Sequence, residues 1–116
     1  MLLSFISNAL PKDKNNNAMQ IVPSVLSLAI TYDTTISTST TVTFNVQSTL
    51  IEVTAINTGV FMKWGGTASS ASFDEFISAG TTRHYAIPIN ASTSNKYTTA
   101  QFIEQSAGAT LVVIEK

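Results

Sequence analysis

Apolar and polar residues alternate along much of the chain, and this pattern predicts short β-strands. Every second residue is apolar from Ile51 to Ala55 and again from Val60 to Trp64, which is the period of a strand with one buried face. Asn57-Thr58-Gly59 separates the two runs, and Asn and Gly tolerate the positive φ of tight hairpin loops. We therefore expect a β-hairpin here, and we expect Leu50–Ile77 to be the centre of the fold.

The same period predicts strands on both sides of this segment. In Thr41–Val46 we expect Val42, Phe44 and Val46 to point inward. Further strands are predicted before Tyr32, at Phe73–Ile77 and at Thr82–Ile87, and Ile89–Thr99 reads as a long polar loop.

The end of the sequence is apolar on both faces of its predicted strand. Leu111 and Val113 alternate with Val112 and Ile114, which is typical of a central strand that is buried on each side. We expect this strand to form a closing hairpin with the segment that begins at Phe102.

About seven or eight short strands separated by turn residues are typical of a sandwich or jelly roll. The fold prediction is therefore all-β, a single antiparallel β-sandwich domain of jelly-roll type that spans residues 18–116. The predicted core residues are Val53, Met62, Trp64, Phe73, Phe76, Phe102, Leu111 and Val113.

Residues 1–17 read as an N-terminal arm and linker, helical or extended. Met1–Leu10 is apolar, Pro11 ends it, and a polar stretch follows. Because so short a helix is marginal in water, we expect the arm to dock, either on its own domain or on a neighbouring subunit. In the second case the predicted anchors are Leu3, Phe5, Ile6 and Leu10. The segment lacks a basic region and is too short to span a bilayer, so we expect a soluble protein made in a cytoplasm, with no membrane partner.

Charge is scarce in this sequence. Charged residues make up 11% of the 116 residues, and the net charge is −1, whereas about 25% is usual in globular proteins. Nucleic-acid binding requires clustered Lys and Arg, so we expect no nucleic-acid partner. The absence of cysteine excludes a disulfide framework and a thiolate metal site.

No arrangement typical of catalysis or metal binding stands out. His84 is the only histidine, and no serine at an informative spacing marks a nucleophile. Asp74 and Glu75 are neighbours on a predicted strand, so their side chains point to opposite faces and do not form an acid–base pair. We predict a protein that is not an enzyme, with no catalytic, metal or cofactor-binding residues and no small-molecule substrate.

Three stretches resemble small virion proteins of tailed bacteriophages. They read IEVTAINTGVFMKW (residues 51–64), FDEFISAGTTRHYAIP (residues 73–88) and FIEQSAGATLVVIEK (residues 102–116). The resemblance covers Leu50 to Lys116 and implies a capsid-associated β-sandwich that acts as a decoration, or cement, protein. It implies binding to the major capsid protein between capsomers on the outer shell, a homo-oligomer (dimer or trimer) and localisation in the virion.

Two other functions are compatible with the sequence. Small β-domains also serve as tail or neck subunits of phages. A receptor-facing or glycan-binding module is the third possibility, because Tyr85 and Tyr97 lie beside polar loops, and Asn90–Thr99 is long enough to form a binding loop. The orientation of the tyrosines discriminates here, since packing residues point into the core.

Overall fold

The structure is a computed structural model. It describes residues 26–116 of the chain. The predicted arm and its anchors Leu3, Phe5, Ile6 and Leu10 lie outside these residues. The described residues form ten strands and no helix. In chain order these are β1 (Ala29–Asp33), β2 (Thr40–Thr43), β3 (Leu50–Ile56), β4 (Val60–Trp64), β5 (Glu75–Ile77), β6 (Thr82–Ala86), β7 (Ile89–Asn90), β8 (Asn95–Lys96), β9 (Thr99–Glu104) and β10 (Thr110–Glu115).

Eight of the strands form two four-stranded antiparallel sheets. The first sheet has the order β1-β10-β3-β6 and the second the order β2-β9-β4-β5, while β7 and β8 form a small hairpin of their own. The chain thus pairs β1 with β10, β2 with β9, β3 with β6 and β4 with β5. This nested pairing of early with late strands is the connectivity of a jelly roll. The predicted all-β antiparallel sandwich is confirmed.

The core lies between the two sheets, where the inward side chains of both meet. Ile51, Val53 and Ala55 alternate inward along β3 and are fully buried. Because neighbouring residues of a strand point to opposite faces, the residues between them lie on the outer face of the first sheet. The predicted core residues that are fully buried are Val53, Met62, Phe102, Leu111 and Val113.

Three predicted core aromatics take other positions. Trp64 is partly buried and packs against the edge of the core cluster. Phe73 is 42% exposed, and Phe76 is half-buried on the outer side of the second sheet beside Phe61, at a ring-centroid distance of 5.1 Å. The prediction of Phe73 as a core residue is therefore wrong, because Phe73 lies before β5 and outside the alternation that buries Ile77.

Both predicted hairpins are wrong. β3 and β4 follow one another through Asn57-Thr58-Gly59 but belong to different sheets, and β9 and β10 are likewise in different sheets. The turn residues connect the two layers of the sandwich instead of joining paired strands. Asn57 has a φ of 75°, which suits a sharp turn. Gly59 is packed so closely that an added Cβ would lie 2.4 Å from the Phe76 ring.

Two smaller predictions also differ from the structure. Val46 was expected to point inward with Val42 and Phe44, but it is 86% exposed because β2 ends at Thr43. The segment predicted as a long loop contains the short β7–β8 hairpin, whose turn places Ser94 at a φ of 60°.

Candidate functional site

The outer face of the first sheet carries an apolar surface. Its strands bury one set of side chains in the core and turn the alternate set outward. On β1, Ile30 is 63% and Tyr32 68% exposed. We define the outer apolar face as Leu28, Ile30, Tyr32, Leu50, Val112 and Ile114.

Strand register makes the β1–β10 part of this face continuous. Ile30 lies opposite Ile114, and Tyr32 lies opposite Val112. Leu50 is on the same side of β3, opposite Lys116. Glu52 lies opposite Ile114, so the Glu52–Lys116 ion pair passes between Leu50 and Ile114. Monomeric soluble proteins seldom expose a contiguous apolar patch of more than about 300–600 Å² unless it binds something. The face is therefore a candidate interaction surface.

Charged side chains lie between Leu50 and Ile114 within the outer apolar face, and they neutralise one another. The Glu52 Oε1 atom lies 2.8 Å from Lys116 Nζ and 3.4 Å from His84 Nε2. The hydrogen bond donated by Lys116 lowers the pKa of the Glu52 carboxyl below its ordinary value, with a smaller contribution from His84. A partner approaching this face meets apolar groups beside an ion pair that is already satisfied.

Removing the Lys116 amine is expected to raise the pKa of Glu52. In Lys116→Met the aliphatic stem stays and the hydrogen bond that most lowers the pKa is lost. A folded-state pKa below the unfolded value adds stability above the unfolded pKa, about 4.3, and that stability is lost as the pH falls through the folded pKa. The variant should lose less stability on acidification than the wild type does.

The measurement is an NMR pH titration of the Glu52 side-chain carboxyl carbon, with urea unfolding at several pH values. His84→Gln is the control and should raise the pKa less than Lys116→Met, since His84 makes the smaller contribution. An unchanged Glu52 pKa in Lys116→Met would contradict this assignment.

A second apolar feature lies on the outer side of the second sheet. The Phe61 ring is 4.7 Å from that of Phe73 and 5.1 Å from that of Phe76, measured between centroids. Lys63 and Asp74 flank this cluster, 3.9 Å apart, and Asp74 Oδ2 also accepts a hydrogen bond from the Trp64 N–H. The three rings pack on one another, and Phe73 is the exposed one of the three, at 42%.

One carboxyl group is buried in the sandwich. Glu115 is 1% exposed at the end of β10, and its Oε1 atom accepts hydrogen bonds from the Ser48 hydroxyl and from the Asn45 N–H, both at 2.7 Å. The Lys96 amine donates to the Ser48 carbonyl. These contacts hold the β2–β3 connection to β10 and the β7–β8 hairpin. The Glu115 carboxyl group has a structural role, because its Oε1 atom accepts hydrogen bonds within the protein.

A shallow polar pocket of about 350 Å³ lies beside the β7–β8 hairpin. It is lined by Gly65, Asn90, Thr93, Asn95, Lys96, Tyr97, Thr98 and Thr99. The Tyr97 ring forms one wall, and it packs on Trp64 at a centroid distance of 6.3 Å.

The two tyrosines considered for glycan binding pack against the core. Tyr85 meets Trp64 edge-on at 6.2 Å, its hydroxyl is buried without a partner among residues 26–116, and desolvation raises its pKa. Tyr97 is partly buried and packs on the same tryptophan. The tyrosines therefore do not form an exposed cluster, although Tyr97 reaches the pocket.

Chemistry-bearing side chains are dispersed over the described residues. His84 is exposed, and its Nε2 atom lies 3.4 Å from the Glu52 Oε1 atom. Within residues 26–116 no three of His, Asp and Glu gather in a group that could hold a metal ion. No helix in this part of the chain is long and apolar enough to cross a membrane.

No family model, curated protein or solved structure matches the chain.

Reasoning from the sequence did not identify the outer apolar face. Two signals for it were present: the apolar residues at Leu28, Ile30 and Tyr32, and the doubly apolar strand β10. The second was interpreted as burial on both sides. In the structure β10 is central in its sheet, yet its outer residues Val112 and Ile114 are only half-buried.

Proposed function

We propose that the chain is a non-enzymatic structural protein of a tailed-phage virion, which binds the outer capsid surface between capsomers and stabilises the shell. The observation that carries this proposal is the outer apolar face, a surface suited to docking on another protein. The major capsid protein is the proposed partner.

The fold and the sequence resemblance support the same proposal. Jelly rolls occur among viral capsid proteins and also among lectins, and a fold alone does not define a function. The resemblance of residues 50–116 to small phage virion proteins favours the first of these classes. The low content of charged residues, 11%, is consistent with an interface core from which charges are depleted.

Burial of the outer apolar face supplies the binding free energy. Each Å² of apolar surface removed from water contributes about 25 cal/mol, and part of this gain offsets the cost of association. A protein that binds only the assembled shell stabilises it by mass action, by about 4 kcal/mol at a thousandfold excess over the dissociation constant. Many such sites together resist the pressure of packaged DNA.

The N-terminal arm provides a second proposed contact with the shell. Leu3, Phe5, Ile6 and Leu10 are its proposed anchors. Deleting residues 1–17 should leave a folded domain that binds shells weakly or not at all, as judged by circular dichroism and co-sedimentation. Unfolding upon this deletion would contradict the arm's proposed role.

The experiment that tests the proposal is size-exclusion chromatography with light scattering. The protein is run alone and with purified phage particles or empty capsid shells. We expect saturable binding at high copy number. A few copies per particle would instead indicate a tail or neck subunit, and a protein that ignores shells would overturn the proposal.

A glycan-binding module is the second candidate, favoured by the polar pocket beside Tyr97. An aromatic wall with amide and ammonium groups nearby is suited to stacking on and hydrogen bonding with a sugar. A glycan array with the wild type and Tyr97→Ala separates the two functions. Binding that is lost in the variant supports this candidate.

A further inference from the structure

Strand β1 is an edge strand whose outer side pairs with no other strand of residues 26–116. Leu50 and Lys116 exchange both backbone hydrogen bonds, so the backbone groups of Lys116 point towards β3. Successive residues of a central antiparallel strand bond to opposite neighbours. The backbone groups of Val113, three residues earlier, therefore point towards β1. The backbone N–H and C=O groups of Thr31, which lies opposite Val113, therefore point towards β10. The N–H and C=O groups of Ile30 and Tyr32 face away from the sheet and form a free hydrogen-bonding edge.

The other three edges of the sandwich carry features that discourage pairing, and β1 does not. Short edge strands and charged side chains are the usual protections against edge-to-edge association. β2 and β5 are four and three residues long, and β6 contains Arg83 and His84. β1 has five residues, with no Lys, Arg or Pro, and its only charge is at Asp33.

We propose that a second copy of this chain pairs with β1 in antiparallel orientation, with the two-fold axis at Thr31. In this register Ile30 of each copy lies opposite Tyr32 of the other. Their outward backbone groups then form four hydrogen bonds across the axis. The first sheets of the two copies join into one eight-stranded sheet.

The side chains of β1 are self-complementary in this register. Ile30 meets Tyr32 on the outer face, and pairs of a β-branched and an aromatic residue are favourable across strands. On the inner face Ala29 lies opposite Asp33, so no like charges meet. The Asp33 carboxyl already has hydrogen-bond partners within its own chain. Its Oδ1 atom accepts hydrogen bonds from the N–H and the hydroxyl of Thr35, at 2.8 and 3.0 Å.

This dimer would place two outer apolar faces side by side on one continuous surface. The inference goes beyond the capsid proposal, because self-association belongs to the isolated protein and is measured without shells. An edge pairing buries less than the roughly 1,600 Å² of a standard interface, so the dimer should be weak in solution. Crowding of copies on a lattice would favour it.

The first test is analytical ultracentrifugation of the full chain over about 1 to 100 μM, a range suited to a small interface. We expect a concentration-dependent shift towards twice the 12.4 kDa of the chain. Ile30→Glu and Tyr32→Lys should each weaken association at least about tenfold, because each places a charge between the two paired β1 strands. The double variant should regain association, since opposite charges then face each other across both positions.

The matched control for Ile30→Glu is Val46→Glu, which changes a β-branched residue that is 86% exposed and outside every strand. It should associate like the wild type. Equal loss of association in the two variants, or no rescue in the double variant, would overturn the proposed register.

The second test uses an engineered thiol, since the native chain has no cysteine. In Thr31→Cys the two sulfurs meet at the axis, and mild oxidation should give a covalent dimer far faster than in Val46→Cys. If the chain's own residues 1–25 cover the edge instead, Thr31→Cys stays monomeric and Ile30→Glu leaves the mass unchanged. That pair of results would overturn the proposal.

Discussion

Phe102→Ala is expected to lower the free energy of unfolding by about 3–5 kcal/mol, the usual cost of removing a fully buried phenylalanine ring. Phe102 is 0% exposed and lies on β9, which is central in the second sheet between β2 and β4. Its neighbours belong to paired strands and are held by their ladders, so they cannot collapse into the cavity. The loss is a large part of the total stability of about 5–15 kcal/mol that is typical of a domain.

Equilibrium urea unfolding followed by tryptophan fluorescence measures this loss, because Trp64 is the only tryptophan. The matched control is Phe73→Ala, which removes the same ring from a position that is 42% exposed. It should cost about 1 kcal/mol, mainly from the contact with Phe61. Equal losses in the two variants would contradict the assignment of Phe102 to the core and Phe73 to the surface.

Glu115→Leu is the second change with a large expected effect, a loss of about 2–4 kcal/mol. The substitution leaves the buried Ser48 hydroxyl and the Asn45 N–H without the oxygen that now accepts their hydrogen bonds. The Ser48 hydroxyl is fully buried, and a buried donor left unpaired costs about 1–3 kcal/mol. The Asn45 N–H is part-buried and contributes less. The apolar side chain recovers part of this through its own burial.

Glu115→Gln separates hydrogen bonding from packing, because the amide retains an oxygen acceptor at nearly the same position. We expect a loss of about 1 kcal/mol, the difference between a charged and a neutral acceptor. Thermal unfolding at neutral pH compares the three proteins. A Leu variant as stable as the Gln variant would show that the two donors find other partners.

Period-two patterning was sufficient to predict the fold class and most of the inward positions. The buried faces at Ile51, Val53 and Ala55 follow directly from the alternation, since one side of each strand must face the other sheet. Patterning failed where a strand ended earlier than the pattern did. Val46 continues the alternation of β2, but the chain has already left the sheet.

Strand pairing could not be read from the turns. Asn57 and Gly59 mark a sharp reversal correctly, yet a reversal can connect strands of one sheet or cross between two sheets. The choice depends on which strands bury more apolar surface together, and this involves contacts distant in sequence. β3 pairs with β10, about sixty residues later in the chain, and no local signal specifies that partner.

The candidate surface was missed because burial cannot be inferred from apolar character alone. Val112 and Ile114 look like core residues in the sequence, and they become surface residues because nothing among residues 26–116 covers that side of the sheet. The exposed Ile30 and Tyr32 extend the surface to the free edge of β1. The proposed capsid contact and the proposed dimer therefore use adjoining parts of the first sheet.

The proposed docking of the outer apolar face is tested by the affinity of Leu50→Glu for shells, compared with that of Val46→Glu. Leu50 lies on the outer apolar face, away from the β1 edge, and is 49% exposed. Burying a fully exposed leucine contributes about 1.5–3 kcal/mol, of which half-exposed Leu50 supplies about half. Glutamate adds the cost of desolvating a charge, so binding should weaken at least about tenfold.

Val46→Glu adds the same charge outside the face and should bind shells like the wild type. Circular dichroism establishes that both variants are folded, and ultracentrifugation that both still self-associate. Weakened shell binding in Leu50→Glu alone is the predicted result. Undiminished binding of Leu50→Glu would show that the outer apolar face is not the docking surface.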